Sequence, residues 1–479
     1  MPLNVLFIVA DDLRPDLGCY GRTEVHSPNL DRLAARGLVF ERAYCQVALC
    51  NPSRASVLTG RRPETTQVLD NGAHVRQAMP GVVTLPQFFR QHGWHAQGVG
   101  KIFHPGCDDA PSWSVPHWHP QQQFEGPGAE ALIAKYESYY GGEGRAVVRQ
   151  RAAAASQSGT NAESLKPGDL LGPAWEAPDV ADEELLDGQT ATRAIEALRQ
   201  VGGRPFFLAV GFLKPHLPFV APKKYWELYS PGKIRSASPL PPKDAPAWAL
   251  HEWSELRSFV GMPKTGPLSD EQARQMIHGY RAATSYLDAQ AGRVLDELDR
   301  LGLREKTIVV FWGDHGWQLG EHGLWCKHTN FELATRAPLI LSAPGMKSAG
   351  RRTAALVEFV DIYPTLAELC GLPLPPELEG ASLVPLLAKP DRAWKPAAFS
   401  QYLRAGKDPH MGYSMRTDRY RLTRWVRVDD PTRVDGVELY DHQSDPLENV
   451  NIAGEPKHAE LVAQLTAQSL QGWRGAFPK

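Results

Sequence analysis

Short apolar runs bounded by turn residues recur along the chain. Val5–Ala10, Ala96–Val99, Phe206–Gly211, Thr307–Trp312 and Leu339–Ser342 are close to uninterrupted in their apolar character, the pattern of strands buried on both faces of a parallel sheet. Helical periodicity lies between them, in Asn29–Gly37 after Ser27-Pro28, in Leu85–His92, and in the long amphipathic stretch from Asp270 to Leu301. Strands alternating with helices predict an α/β fold, a mostly parallel sheet wound on both faces by helices. Ligands of such sheets bind beyond the carboxyl ends of the strands, so the polar residues just after these runs are the first candidates for a site.

Two stretches break the alternation. Gly106–Gly188 is rich in Pro, Gly, Gln and Ala and reads as an insertion or lid, poorly ordered in part. Ser230–Trp248 is irregular and Pro-rich. After Pro385 the period shortens, with strands expected at Tyr413–Thr417, Tyr420–Val426 and Glu438–Asp441 and a terminal helix near Ala459–Trp473. The expected division is a main domain over 1–385 and a small α+β C-terminal subdomain with a short antiparallel sheet over 386–479.

Composition narrows the class. The 479 residues carry 52 Lys+Arg against 54 Asp+Glu, a formal net charge of −2, which excludes the broad basic field of a nucleic-acid binder. With 42% hydrophobic and 22% charged residues the chain can bury a large core, and global disorder is excluded. No stretch approaches the roughly 18 consecutive apolar residues of a membrane span. The N-terminus enters its first apolar run with no basic region and no small-residue cleavage site. A cytoplasmic location is expected, or a periplasmic or secreted one if a signal has been trimmed. Six cysteines (Cys19, Cys45, Cys50, Cys107, Cys326 and Cys370) are too few for a disulfide scaffold. All but Cys50 read as free thiols.

Chemistry gathers at the strand ends. Asp11-Asp12 closes the first strand, and paired carboxylates repel unless a divalent cation joins them. Taken alone, such a pair is more often a cap or a turn. Trp312-Gly313-Asp314-His315-Gly316 follows another strand, with glycines that let the backbone turn while two side chains face a site. A third element is Cys50-Asn51-Pro52-Ser53-Arg54, where Pro52 suits the first position of a helix. Cys50 then sits at a helix N-terminus, which attracts anions, and Arg54 follows one turn on as a fixed cation. A tyrosine-phosphatase thiolate loop needs Arg six positions after Cys, and position 56 is Ser. The bland alternative is a packed, inert Cys.

Cys-x-Pro-Ser-Arg followed by Leu58-Thr59-Gly60-Arg61 resembles the signature of the formylglycine-dependent (type I) sulfatases. The segments Asn4–Asp12, Gly18–Leu33, Cys50–Thr66, Gly98–Gly106, Lys214–Pro218, Ser285–Leu298 and Gly313–Phe331 look like the iduronate-2-sulfatase branch of that family. Met411–Thr417 and Glu438–Asp441 extend the likeness into the C-terminal subdomain, whereas Asp108–Glu184 and Pro231–Thr265 show little of it. The resemblance implies an alkaline-phosphatase-like fold and a sulfuric ester hydrolase. It implies that a separate formylglycine-generating enzyme oxidises Cys50, and that the hydrated gem-diol attacks sulfur. It also implies one divalent metal, usually Ca2+ with Mg2+ or Mn2+ as alternatives, held by Asp11, Asp12, Asp314 and His315 with modified Cys50. His315 stands where many sulfatases have Asn.

By the same resemblance Arg54, Lys101, His104, His216 and Lys327 form the sulfate pocket. A carboxylate such as Asp314 would take the nucleophile's proton, a protonated histidine, His216 first, would give its proton to the leaving alcohol, and His104 or Arg54 would assist release of sulfate. Trp317, Glu321, His322 and His328 are weaker candidates for a substrate wall, otherwise ordinary packing. Met411–Thr417 either shapes the pocket or packs the subdomain. The expected substrate is a small anionic sulfate ester or a sulfated saccharide, such as a 2-O-sulfated uronic acid. A phosphonate or phosphate monoester hydrolase, or a choline- or aryl-sulfate-type enzyme, is the alternative, and Ser53 argues against the phosphonate kind. An unmodified Cys50 would instead leave a non-catalytic binder of sulfated ligands.

Overall fold

A computed structural model describes residues 2–126, 128–157 and 165–478. Seven strands form the main sheet: β1 (Asn4–Asp11), β2 (Leu38–Tyr44), β3 (His95–Gly100), β4 (Phe206–Pro215), β5 (Thr307–Gly313), β6 (Leu339–Ser342) and β7 (Arg351–Glu358). Their order is β7-β2-β6-β5-β1-β4-β3. All pair in parallel except β6, which runs against both its neighbours. β1 lies between β4 and β5 with every residue buried, as its apolar run requires.

The alternation of side chains along β1 splits the core in two. Val5, Phe7 and Val9 face the helices α2 (Cys50–Thr59), α3 (Leu85–Gln91) and α6 (Ile362–Leu369), through Val57, Phe89 and Ile362 among others. Leu6, Ile8 and Ala10 face α1 (Pro28–Ala34), α4 (Leu186–Gln200) and α5 (Asp270–Arg300), through Leu30, Leu198 and Val294. The expected helices and apolar strands are therefore present. β2, β7 and α4 carried no clear signal. Glu41-Arg42 interrupts β2, and β7 begins with exposed Arg351-Arg352 at the sheet edge. There, solvent takes one side of the strand and the continuous apolar pattern disappears.

The segment expected to be loose holds two helices, Ala129–Glu137 and Glu143–Gln157. Ala-rich composition favours helix as readily as it suggests low complexity. Ile133, Tyr140 and Val148 pack there with Val220, Tyr225, Trp226 and Tyr286. The part of that expectation falling on 127 and 158–164 lies outside the described residues. No helix among the described residues is long and apolar enough to cross a membrane.

Beyond the main sheet, β8 (Ala397–Arg404), β9 (His410–Thr417), β10 (Tyr420–Arg427) and β11 (Val434–Asp441) form an antiparallel meander backed by α7 (Ala459–Gly475). A buried charge network docks this sheet. Arg421 reaches Glu332 at 2.6 Å and Glu448 at 2.7 Å, and Arg416 adds a second contact to Glu332 at 3.2 Å. Tyr44, at the end of β2, donates to the other oxygen of Glu332 at 2.9 Å. Removing one partner of such a cluster strands buried charge, so Arg421→Ala should cost about 3–5 kcal/mol. Denaturant unfolding measures this, and a loss below about 1 kcal/mol, typical of a surface pair, would contradict the docking role.

Candidate active site

Being central, β1 delivers its last residue between the ends of two other strands. Asp11 ends the strand where its register with β4 shifts, pairing with Pro215, and Asp12 follows with φ of 61°. An Asp tolerates that left-handed conformation better than most side chains, and the turn sends the two carboxylates in different directions. The backbone N–H of Asp12 donates to Asp314 Oδ1 at 3.0 Å, joining the ends of β1 and β5. Behind Asp314-His315, a side chain on Gly316 would run into the Leu333 carbonyl, so the glycine is required by close packing.

α2 begins at Cys50, two residues earlier than Pro52 suggested, and is buried along its whole length. Cys50 Sγ lies 3.3 Å from both Asp11 Oδ1 and His315 Nε2. One turn on, Arg54 Nε donates to Asp314 Oδ2 at 2.9 Å and Nη1 to the Ile102 carbonyl at 3.0 Å. Its Nη2 has no hydrogen-bond partner and lies 3.8 Å from Asp11. Ser53 donates to the Asp314 carbonyl, so the motif serine ties the helix to the end of β5.

The cations complete the ring. Lys101, just beyond β3, pairs with Asp11. Lys327 lies 3.1 Å from both oxygens of Asp12 and stacks 4.8 Å over the Trp317 ring. His216 Nδ1 donates to the Leu217 carbonyl, which aims Nε2 at Glu255, 3.3 Å away, and at Asp12, 3.8 Å away. His104 keeps a buried Nδ1 with no partner. Every residue expected in the site is thus drawn to one place at the strand ends. The substrate-wall candidates divide. Glu321 is spent on Arg14 at 2.9 Å and His322 on the Leu447 carbonyl at 2.7 Å, while His328 remains at the mouth, 3.8 Å from Glu255. In Met411–Thr417, Met415 packs the subdomain core. All six cysteines are free thiols.

Electrostatics separates the two adjacent aspartates. Burial pushes both upward, but at Asp11 the opposing charges of Lys101, His216 and Arg54 win and hold it well below the usual range. At Asp12 burial dominates; Lys327 opposes it, but Asp11, Glu255 and Asp314 add repulsion, and the group is held well above the usual range. Burial, reinforced by Asp11, pushes the Cys50 thiol well up. Burial and Lys327 take His216 down to about 3, and burial and Lys101 do the same to His104.

These residues fit a divalent cation. Ligand atoms of Asp11, Cys50, Asp314 and His315 all lie within 4.8 Å of one another, and Asp12 Oδ1 is 3.4 Å from His315 Nε2. His315 Nδ1 donates to the Gly316 carbonyl at 3.0 Å, which turns the Nε2 lone pair towards the carboxylates, the tautomer a metal ligand needs. A second acidic cluster, Glu332, His442 and Glu448, is already neutralised by Arg416 and Arg421 and belongs to the docking network. Two details differ from expectation. The carboxylate facing position 50 is Asp11, whereas Asp314 is occupied by Arg54 and two backbone N–H groups. Glu255, from a segment with no motif, enters the site unannounced by any sequence pattern.

The sulfatase family model matches residues 3–372, and that of the C-terminal region of N-sulphoglucosamine sulphohydrolase matches residues 320–474. An iduronate 2-sulfatase of Mus musculus is 36% identical, covering 97% of this chain and 93% of the relative. Among solved structures, the phosphonate monoester hydrolase of Agrobacterium radiobacter superposes with a TM-score of 0.75 at 23% identity, over 98% of this chain and 95% of that one. A protein solved in complex with D-glucosamine-2-N,6-O-disulfate superposes with a TM-score of 0.72 at 21% identity, over 99% and 98%. The two structures share the fold, and the sequence matches extend across both sheets. Matched over most of its length by the family model and more than a third identical to an iduronate 2-sulfatase, the chain belongs to the sulfatases, sulfuric ester hydrolases of alkaline-phosphatase-like fold.

Proposed function

We propose that this sulfatase removes O-sulfate from a sulfated sugar, a 2-O-sulfated uronic acid in the first instance, using a nucleophile derived from Cys50. The observation that carries the mechanism is the setting of Cys50, at a helix N-terminus and 3.3 Å from Asp11 and His315, with the free Nη2 of Arg54 one turn away. The substrate class is supported by the 36% identity to an iduronate 2-sulfatase and by the glucosamine disulfate carried by a protein of the same fold. Formylglycine at position 50 would supply a hydrated aldehyde as nucleophile, and a divalent cation held by Asp11, Asp12, Asp314 and His315 would supply positive charge beside it.

The chain's own groups do the rest. Lys101, Lys327 and the free Arg54 Nη2 offset charge on the non-bridging sulfate oxygens in a site shielded from water. Asp11 Oδ1, the oxygen that faces residue 50, receives the nucleophile's proton. His216 is neutral in the substrate-free site because of burial and Lys327. A sulfate ester brought beside it adds the negative charge that favours the imidazolium, and Nε2 then delivers the proton to the leaving oxygen. His104, with an open Nδ1, takes up a proton in the second half of the cycle. Position 50 is 1% exposed, so oxidation by a formylglycine-generating enzyme must precede closure of the fold.

Three measurements test this reading. On a matched panel, kcat/KM for a 2-O-sulfated uronate disaccharide should exceed that for an aryl sulfate and a phosphonate monoester; a higher value on the phosphonate than on every sulfate would overturn it. Cys50→Ala should lower kcat by more than about 10³-fold, since the nucleophile is gone; a loss of less than tenfold would contradict the assignment. Chelation should abolish turnover and lower Tm, with divalent cation restoring both, because a ligand bound only by the folded state stabilises it. Elemental analysis of the active protein identifies the ion, and full activity without metal would refute the site.

A further inference from the structure

Glu255 lies on the short helix Ser254–Arg257 in a segment that no motif marks. Its carboxylate meets Lys327 Nζ at 3.0 and 2.9 Å and lies 3.3 Å from His216 Nε2. The side chain is 23% exposed, whereas Asp11, Asp12 and Asp314 are fully buried, so Glu255 stands at the mouth of the pocket and the aspartates at its floor. Burial pushes its carboxyl upward, but Lys327, His216 and His328 outweigh this and bring it down to about 2, so it is charged at any working pH.

A charge count shows the consequence. In the substrate-free site, where His216 is neutral, and with all three aspartates ionised beside a divalent cation, Asp11, Asp12 and Asp314 are matched by Arg54, Lys101 and Lys327, and the cation would leave two positive charges. Glu255 reduces them to one. A sulfate monoester carries one negative charge, whereas a phosphate monoester carries close to two above about pH 6. At about 5 Å and an effective dielectric constant near 20, one additional charge pair changes an equilibrium by more than a factor of ten.

We propose that Glu255 is a specificity-determining residue, setting the charge of the pocket so that monoanionic sulfate esters are favoured over dianionic phosphate monoesters. The assignment rests on the site reading above. The test compares wild type, Glu255→Gln and Glu255→Ala at pH 8 on three aryl esters of one leaving group, namely sulfate (monoanion), phosphonate monoester (monoanion) and phosphate monoester (dianion). In both variants the phosphate-to-sulfate ratio of kcat/KM should rise at least about tenfold, while the phosphonate-to-sulfate ratio holds within about twofold. A residue that only held Lys327 in place would depress all three substrates together. Unchanged ratios, or both ratios moving in step, would overturn the proposal. Calorimetric Kd values for the same esters on metal-loaded protein with unmodified Cys50 read the charge preference without turnover. Failure of the matured wild type to hydrolyse any sulfate therefore strikes the hydrolase reading, whereas an unchanged ratio of Kd values strikes Glu255.

Discussion

Opposite charges packed together away from water are the constraint on which this structure turns. Asp11, Asp12 and Asp314 are completely buried with Arg54, and Lys101 and Lys327 close over them. Buried charge is tolerated only when paired and hydrogen-bonded, and here the pairing is unequal. One aspartate is held firmly ionised and its neighbour is pushed towards the protonated form. A divalent cation on this donor set would relieve that imbalance, and the Nδ1 hydrogen bond of His315 leaves its Nε2 turned towards the same carboxylates.

The scaffold makes the constraint possible. β1 occupies the middle of the sheet, so its end is flanked by the ends of β4 and β5 and capped by α2. Strand ends of a parallel sheet converge chemistry from distant parts of a sequence, and here they bring Asp12 Oδ1 within 3.4 Å of His315 Nε2. The C-terminal sheet contributes without entering the floor of the site. Its Arg421 and Arg416 grip Glu332, which lies close in sequence to Lys327.

Much of this was legible in the sequence, and what escaped did so for physical reasons. Continuous apolar runs revealed β1, β4, β5 and β6, because strands buried on both faces have no polar positions. β2 and β7 escaped because solvent or charged partners reach one side of them, and the helices at 129–157 were hidden by an Ala-rich composition. The residues expected in the site were visible as motifs at strand ends or, for Cys50 and Arg54, at a helix start, and the structure brings them together. Glu255 was not, for a single acidic residue in an irregular segment has no periodicity or spacing to mark it. Nor was it visible which carboxylate faces residue 50: Asp11 does, while Asp314 is engaged by Arg54 and by backbone N–H groups at the turn after β5, bonds that only the fold creates.

The role of residue 50 is read out by measuring aryl sulfate turnover against the fraction of position 50 converted to formylglycine, quantified by peptide mass spectrometry on batches matured to different extents. If the nucleophile derives from Cys50, kcat per molecule rises in proportion to conversion and extrapolates to zero at zero conversion. A substantial rate at zero conversion, or a rate indifferent to it, would exclude Cys50 as the source of the nucleophile.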